Sequence, residues 1–320
     1  MSQIISHCTA DSLANAAQLL SNGSLVAFPT ETVYGLGADA NNADAVARIY
    51  QVKGRPADHP LIVHIAGMED MDQWAEEIPN YAIALARDFW PGPMTLVLKR
   101  NERAKDFITG GQESVGLRVP AHAIALGLLA AFKNLGGTGI AAPSANRFGQ
   151  VSPTTAKAVE DEIHDYLLPT DLILDGGQAL VGVESTIIDC TQSAPVILRP
   201  GAITQQMIEE STGLLVEQTR DETIRVSGSL ENHYAPNARV VLGALAEAGE
   251  GFIALASIST PKGAIRLASP KTVEDYARVL YLALREADAQ GLSKIAVIEP
   301  EGDGLAIAIR DRLLRASRGR

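Results

Sequence analysis

Hydrophobic positions along the chain follow two periods. Apolar residues recur at helical spacing over residues 11–20, 43–51, 81–89, 123–132 and 154–163. Between them lie short apolar or alternating runs that read as strands, at 25–28, 61–65, 94–98, 115–119, 140–142, 172–174, 185–189 and 196–198. Asp11 is the expected cap of the first helix and Asn22-Gly23 its stop. Helices interleaved with strands predict a mixed α/β fold, but spacing alone does not determine strand order.

Past Pro200-Gly201 the pattern gives one short helix, a polar stretch at 217–225, and then Ser227-Gly228-Ser229 leading into Asn232-His233-Tyr234-Ala235-Pro236, a composition that suits a linker. The pattern restarts at Arg239, with strands at 240–242, 252–256, 264–267 and 294–298 and helices at 273–289 and 305–316. Val273, Tyr276, Ala277, Leu280 and Leu284 share one face of the longer helix, as packing on a sheet requires. This second unit reads as a small doubly wound α/β domain.

Composition narrows the classes. A chain of 320 residues, 46% hydrophobic and 20% charged, has the makeup of a fully folded protein with two cores. The longest apolar run, 123–132, has about half the ~20 residues that a membrane-spanning helix needs, so no span is expected. The first residues have neither a basic segment nor an apolar core, and the expected location is the cytoplasm. Cys8 and Cys190 stand far apart, which argues against zinc ribbons and disulfide frameworks. The net charge of −11 opposes a general nucleic-acid-binding surface but leaves room for a local basic pocket.

Four stretches carry residue types suited to chemistry. In 28–37, FPTETVYGLG, a buried strand runs into hydroxyls and glycines, where α/β proteins often place ligands; an ordinary strand-to-turn connection explains it equally well. Lys53-Gly54-Arg55-Pro56 holds two cations on a rigid loop suited to polyphosphate, although such a pair is more commonly solvated surface. His59 and His64 follow, the latter in an alternating apolar strand with no second metal ligand nearby. Residues 136–154 contain Ser144, Asn146 and Ser152-Pro153, but neither a Walker A ending nor a GxGxxG fingerprint. Ser152 and Pro153 read as the start of the next helix, a natural anion site or simply a capped helix. In the fourth, GVESTIID and LRPG, Glu184 is a capping acid or the ion-pair partner of a basic residue, and Arg199 suits a domain-closing salt bridge.

Taken together, FPTETVYGLG, KGRP with HPLIVHI, FWPGPMTLVL, VGLRVP, APSANRFGQVSPT, GVESTIID and LRPG occur in an order that resembles the Sua5/YrdC family of threonylcarbamoyl-AMP synthases over roughly the whole chain. The linker and second domain resemble the two-domain, Sua5 branch. The resemblance implies a twisted mixed-sheet YrdC-like domain with a large concave cavity at 1–203, a linker at 204–238 that covers it, and a Rossmann-like domain at 239–320. It further implies that ATP, L-threonine and bicarbonate, with Mg2+ accompanying ATP and no metal held by protein side chains, give threonylcarbamoyl-AMP and pyrophosphate. A downstream tRNA threonylcarbamoyl transferase complex would receive the product to form N6-threonylcarbamoyladenosine; direct tRNA contact is left open.

Carried over position by position, the family's catalytic tetrad falls on Lys53, Arg55, Ser144 and Asn146. Nucleotide contacts fall on Arg55, His59, Ser144, Ser152, Arg199 and Tyr234, and threonine contacts on Thr32, His64, Arg118, Ala142 and Ser185. The residue types suit the chemistry. Lys53 and Arg55 would offset the repulsion between a carbamate and a polyphosphate, and Arg118 would fork onto the amino-acid carboxylate. His59 stands where the family often has Asn, and Ser227 where its linker often has Pro. Two rival classes are a binding protein that keeps the cavity without catalysis, and the carbamoyltransferase branch of hydrogenase maturation, whose extra segments this chain lacks. Threonine-dependent consumption of ATP separates all three.

Overall fold

The structure is a computed structural model that describes residues 5–217, 224–226 and 234–319. The first strands and helices follow one another as β1 (Ile5–His7), α1 (Ala10–Ser21), β2 (Val26–Phe28), β3 (Gly35–Asp39), α2 (Ala43–Lys53), β4 (Ile62–His64), α3 (Asn80–Phe89), β5 (Met94–Lys99), α4 (Asp106–Thr109), β6 (Ser114–Arg118) and α5 (Ala123–Asn134). There follow β7 (Ile140–Ala141), α6 (Ala156–Ile163), β8 (Leu172–Asp175), β9 (Thr186–Asp189), β10 (Val196–Arg199) and α7 (Gln205–Thr212). The second unit holds β11 (Arg239–Leu242), β12 (Gly251–Ile253), β13 (Ile265–Ala268), α8 (Val273–Ala289), β14 (Lys294–Val297) and α9 (Leu305–Ser317).

Ten strands form one mixed sheet in the order β1-β8-β2-β3-β7-β4-β6-β5-β9-β10. The sheet contains both parallel pairs, such as β4 with β6 and β5 with β9, and antiparallel ones, such as β2 with β3 and β5 with β6. Most neighbours in this order are distant in sequence, so only long-range pairing could reveal it. β3 was not expected, because Gly35 and Gly37 read as loop. A β-carbon at Gly37 would stand 2.7 Å from Ile140 Cγ2 and 2.8 Å from Phe28 Cε1, so the strand needs glycine for close packing.

Local signals differ from expectation at two helix starts. α1 is capped by Thr9, which accepts from Ser12 N in a reciprocal capping box, and not by Asp11. α6 is capped by Thr155, whose side chain accepts from Ala158 N, so Ser152 and Pro153 lie ahead of the helix and do not form its anion-binding end.

The second sheet, β11-β14-β12-β13, is parallel throughout. Its helices are not doubly wound. Buried residues of α8 and α9 join Val240, Ile253, Ile295 and Val297 in a single cluster, which places both helices on one face. Phe252, Ala254 and Ala296 of the other face are covered by Ala246 and by Ile258 and Ala264 from connecting segments. The α8 cluster also takes in Val33, Val151 and Val183 from the large sheet's loops, so the two units share an apolar seam.

Within 204–238, α7 places Ile208 in the main core, and Val226 packs with Val97, Ile187, Val196 and Leu198. Ser227, Gly228, Asn232 and His233 lie outside the described residues.

Candidate active site

The loop between β2 and β3 is set by Thr30, whose hydroxyl donates to Val33 O at 2.6 Å and accepts from Thr32 N at 3.2 Å. Backbone bonds from Tyr34 N to Pro153 O, Leu36 N to Pro143 O and Ala145 N to Tyr34 O lock this loop against 143–153. The two loops, with the ends of β4, β6 and β9, surround a cavity lined by Thr32, Arg55, His64, Arg118, Ala142, Ser144, Glu184, Ser185, Arg199 and Tyr234, among others. Its free volume is about 40 Å3.

All five residues expected to hold threonine line this cavity. Arg118 Nη2 donates to Thr32 Oγ1 at 3.0 Å and pairs with Glu31 Oε1 at 2.8 Å, both partners being buried. His64 and Arg118 sit opposite one another in the parallel β4–β6 register. His64 is 3% exposed, and its Nδ1 has no hydrogen-bond partner among the described residues. Burial, reinforced by the Arg118 charge, pushes its pKa down to about 3, so the ring is neutral at physiological pH. Ser185 Oγ shares a hydrogen bond with Thr95 Oγ1 at 2.8 Å and accepts from Arg199 Nη2 at 3.2 Å. Ala142 N is already committed to Ile62 O at 2.9 Å, which leaves its carbonyl as the backbone group to offer.

The residues expected at the nucleotide divide into two groups. Arg55, Ser144, Arg199 and Tyr234 line the cavity. Arg55 Nη2 donates to Pro60 O at 2.9 Å, and burial lowers its pKa to about 10. Lys53 and Asn146 stand behind this wall. Lys53 Nζ donates to Ser144 O and Asn146 O, each at 2.5 Å, and Asn146 Nδ2 donates to Arg147 O at 2.8 Å and Gln150 O at 2.9 Å. Both side chains therefore hold the 144–150 loop in shape. Burial, helped by Arg55 and Arg147, lowers the Lys53 pKa well below the usual ammonium range. His59 lies outside the lining, edge-on to Phe148 at 5.4 Å.

Ser152 enters through Glu184. Its hydroxyl, fully buried, donates to Glu184 Oε1 at 2.6 Å. Glu184 Oε2 accepts from Tyr281 OH at 2.8 Å and Arg312 Nε at 2.9 Å, so the acid's ion-pair partner comes from α9 in the second unit. Desolvation works to raise the Glu184 pKa, but Arg312, Arg199 and Ser152 outweigh it and hold the carboxyl at about 2. Tyr234 stacks on Tyr281 at 5.7 Å and adopts φ 64°, a left-handed backbone uncommon outside glycine and asparagine. Neither Tyr281 nor Arg312 was singled out from sequence. The signal was present: Arg312 interrupts the apolar stripe Ala308, Ile309, Leu313 and Ala316 of α9, all of them buried.

Fold and site define a two-unit α/β protein whose cavity pairs a fork of arginines with small hydroxyl and imidazole donors, an arrangement suited to an amino acid beside a polyanion. Residues 18–201 match the Sua5/YciO/YrdC family model, described as telomere recombination, and residues 203–318 match the model for the C-terminal domain of threonylcarbamoyl-AMP synthase. The chain belongs to the Sua5/YrdC family, in its two-domain form. It is 41% identical to the threonylcarbamoyl-AMP synthase of Pyrococcus abyssi, over 94% of this chain and 93% of that one. Identity to the Bacillus subtilis threonylcarbamoyl-AMP synthase is 37%, over 96% and 93%. The crystal structure of P. abyssi Sua5 complexed with L-threonine superposes with a TM-score of 0.88 at 38% identity, covering 99% of this chain and 98% of that one.

Proposed function

We propose that this chain is an L-threonylcarbamoyladenylate synthase, a nucleotidyltransferase that joins L-threonine, bicarbonate and ATP and releases pyrophosphate. The observation that carries the reading is the convergence of Arg118, Thr32 and neutral His64 in the wall of one cavity, a set of groups suited to the carboxylate and hydroxyl of an amino acid. The P. abyssi relative crystallised with L-threonine supports that choice of ligand.

In this reading Arg118 takes the threonine carboxylate, while Thr32 and neutral His64 face the substrate's polar atoms. A pocket that hydrogen-bonds a hydroxyl rejects analogues that lack it, which favours threonine over valine. The unprotonated amine captures bicarbonate as a carbamate with loss of water. A carbamate oxygen then attacks the α-phosphorus of ATP in line, and the bond to the β-phosphate oxygen breaks to release pyrophosphate. Arg55 and Arg199 offset the charge on the phosphoryl oxygens, and Lys53 and Asn146 keep Ser144 in place. No nucleophilic side chain takes part.

Magnesium accompanies ATP, where it would neutralise phosphate charge. Among the described residues no group of three His, Cys, Asp or Glu is placed to hold a metal, and both Glu184 oxygens are engaged by protein donors. The adenylate would pass to a tRNA threonylcarbamoyl transferase complex. Isothermal titration with threonine and ATP tests the assignment: Arg118→Met should abolish threonine binding, and retained affinity would contradict it.

A further inference from the structure

Glu184 is a carboxylate in the wall of a cavity that also presents Arg55, Arg118 and Arg199. A negative charge there opposes a polyphosphate and draws on the charge of the nearest arginine. Glu184 is ionised, and its electrostatic partners are Arg312 and Arg199. Arg199, which hydrogen-bonds Ser185 O and Oγ at 3.1 and 3.2 Å, faces the cavity. Arg312 reaches Glu184 from the second unit. It comes from α9 and is fully buried, with Nε on Glu184 Oε2 at 2.9 Å and Nη2 on Pro200 O at 3.0 Å. Its guanidinium lies 5.5 Å from the Tyr234 ring. Arg312 Nη1 also pairs with Asp311, which shares its charge with Arg315.

From this arrangement we propose that Arg312 is a positioning residue for the nucleotide: a cation lent by the second unit that neutralises Glu184, so that this acid neither repels the phosphates nor draws on the charge of Arg199. The three groups Arg199, Glu184 and Arg312 sum to one positive charge. Without Arg312 they sum to zero, and Glu184 turns its charge on Arg199. The proposal rests on reading the cavity as an ATP site. It assigns the second unit a part in nucleotide binding.

The test measures MgATP and threonine affinities by titration calorimetry on the full chain, for the wild type, Arg312→Met, Glu184→Gln and the double variant. The charge relationship predicts that Arg312→Met weakens ATP roughly ten- to thirtyfold while threonine affinity stays within about threefold. Adding Glu184→Gln restores the single positive charge and should return ATP affinity to within about threefold of wild type. Glu184→Gln alone should bind ATP at least as tightly as wild type. This variant keeps the proposal testable if Arg312→Met fails to fold. Wild-type ATP affinity in Arg312→Met, a double variant no better than the single, or weakened binding in Glu184→Gln would each overturn the proposal. A wild-type chain that binds threonine but no ATP would overturn the nucleotide reading, and the proposal with it.

Discussion

Arg118 is shared between a buried acid and a hydroxyl: Nη2 stands 2.8 Å from Glu31 Oε1 and 3.0 Å from Thr32 Oγ1. Nη2 is thus anchored inside the protein, while the buried Nε has no hydrogen-bond partner among the described residues, so the guanidinium keeps a donor to offer. Arg118→Lys keeps a positive charge opposite Glu31 but loses the fork. It should retain most of the stability while raising KM for threonine about tenfold, a difference of about 1.4 kcal/mol. Urea denaturation and threonine titrations of pyrophosphate release check both halves.

Lys53 bridges the carbonyls of Ser144 and Asn146, so it acts on the loop that presents Ser144 to the cavity. Lys53→Met matches its length but leaves two carbonyls without their donor, at a cost of about 2–4 kcal/mol. Turnover should fall with the displacement of Ser144. A variant with native stability and lost turnover would instead mean that the lysine acts on substrate directly.

His64, with its pKa pushed down to about 3, stays neutral through the working range. The ring proton signals of His64 should not shift between pH 8 and 5, whereas an exposed histidine titrates near 6.5. A His64 signal with a midpoint near 6.5 would contradict the neutral, ligand-facing role.

Acid should destabilise the fold through two groups. The unfolded chain protonates His64 below about 6.5, but the native chain does not until about 3, so stability falls as pH drops through that window. Glu184 has its native pKa at about 2 and an ordinary value of 4.5. Its contribution is complete above 4.5 and is lost as pH falls from there toward 2. Glu184→Gln should flatten the acid limb below pH 4.5, as measured by urea midpoints across pH.

The sequence made most helices and strands legible, because their apolar period is strong and local. β3 escaped because its glycines serve packing against Phe28 and Ile140, which sequence reads only as turn. Ser152 was expected to open a helix. A threonine three residues on competes for that cap, and the hydroxyl of Ser152 goes to Glu184 instead. Strand order stayed out of reach, since β8 pairs with both β1 and β2 across most of the first unit.

The candidate site was legible in residue types but less so in depth. Arg55, Ser144, His64 and Arg118 reach the cavity, whereas Lys53 and Asn146 stand one layer behind it, and only folding distinguishes the two positions. Arg312 and Tyr281 belong to helices remote in sequence from every motif. Their role depends on how the second unit docks.

The central claim, threonine-dependent adenylation, is tested most directly by pyrophosphate release from the purified chain with ATP, Mg2+ and bicarbonate. Threonine is supplied, omitted, or replaced by serine or valine. The account predicts release that requires threonine, falls sharply with valine, and collapses in Arg55→Ala. Release that is indifferent to threonine, or no release from folded protein under any of these conditions, would contradict it.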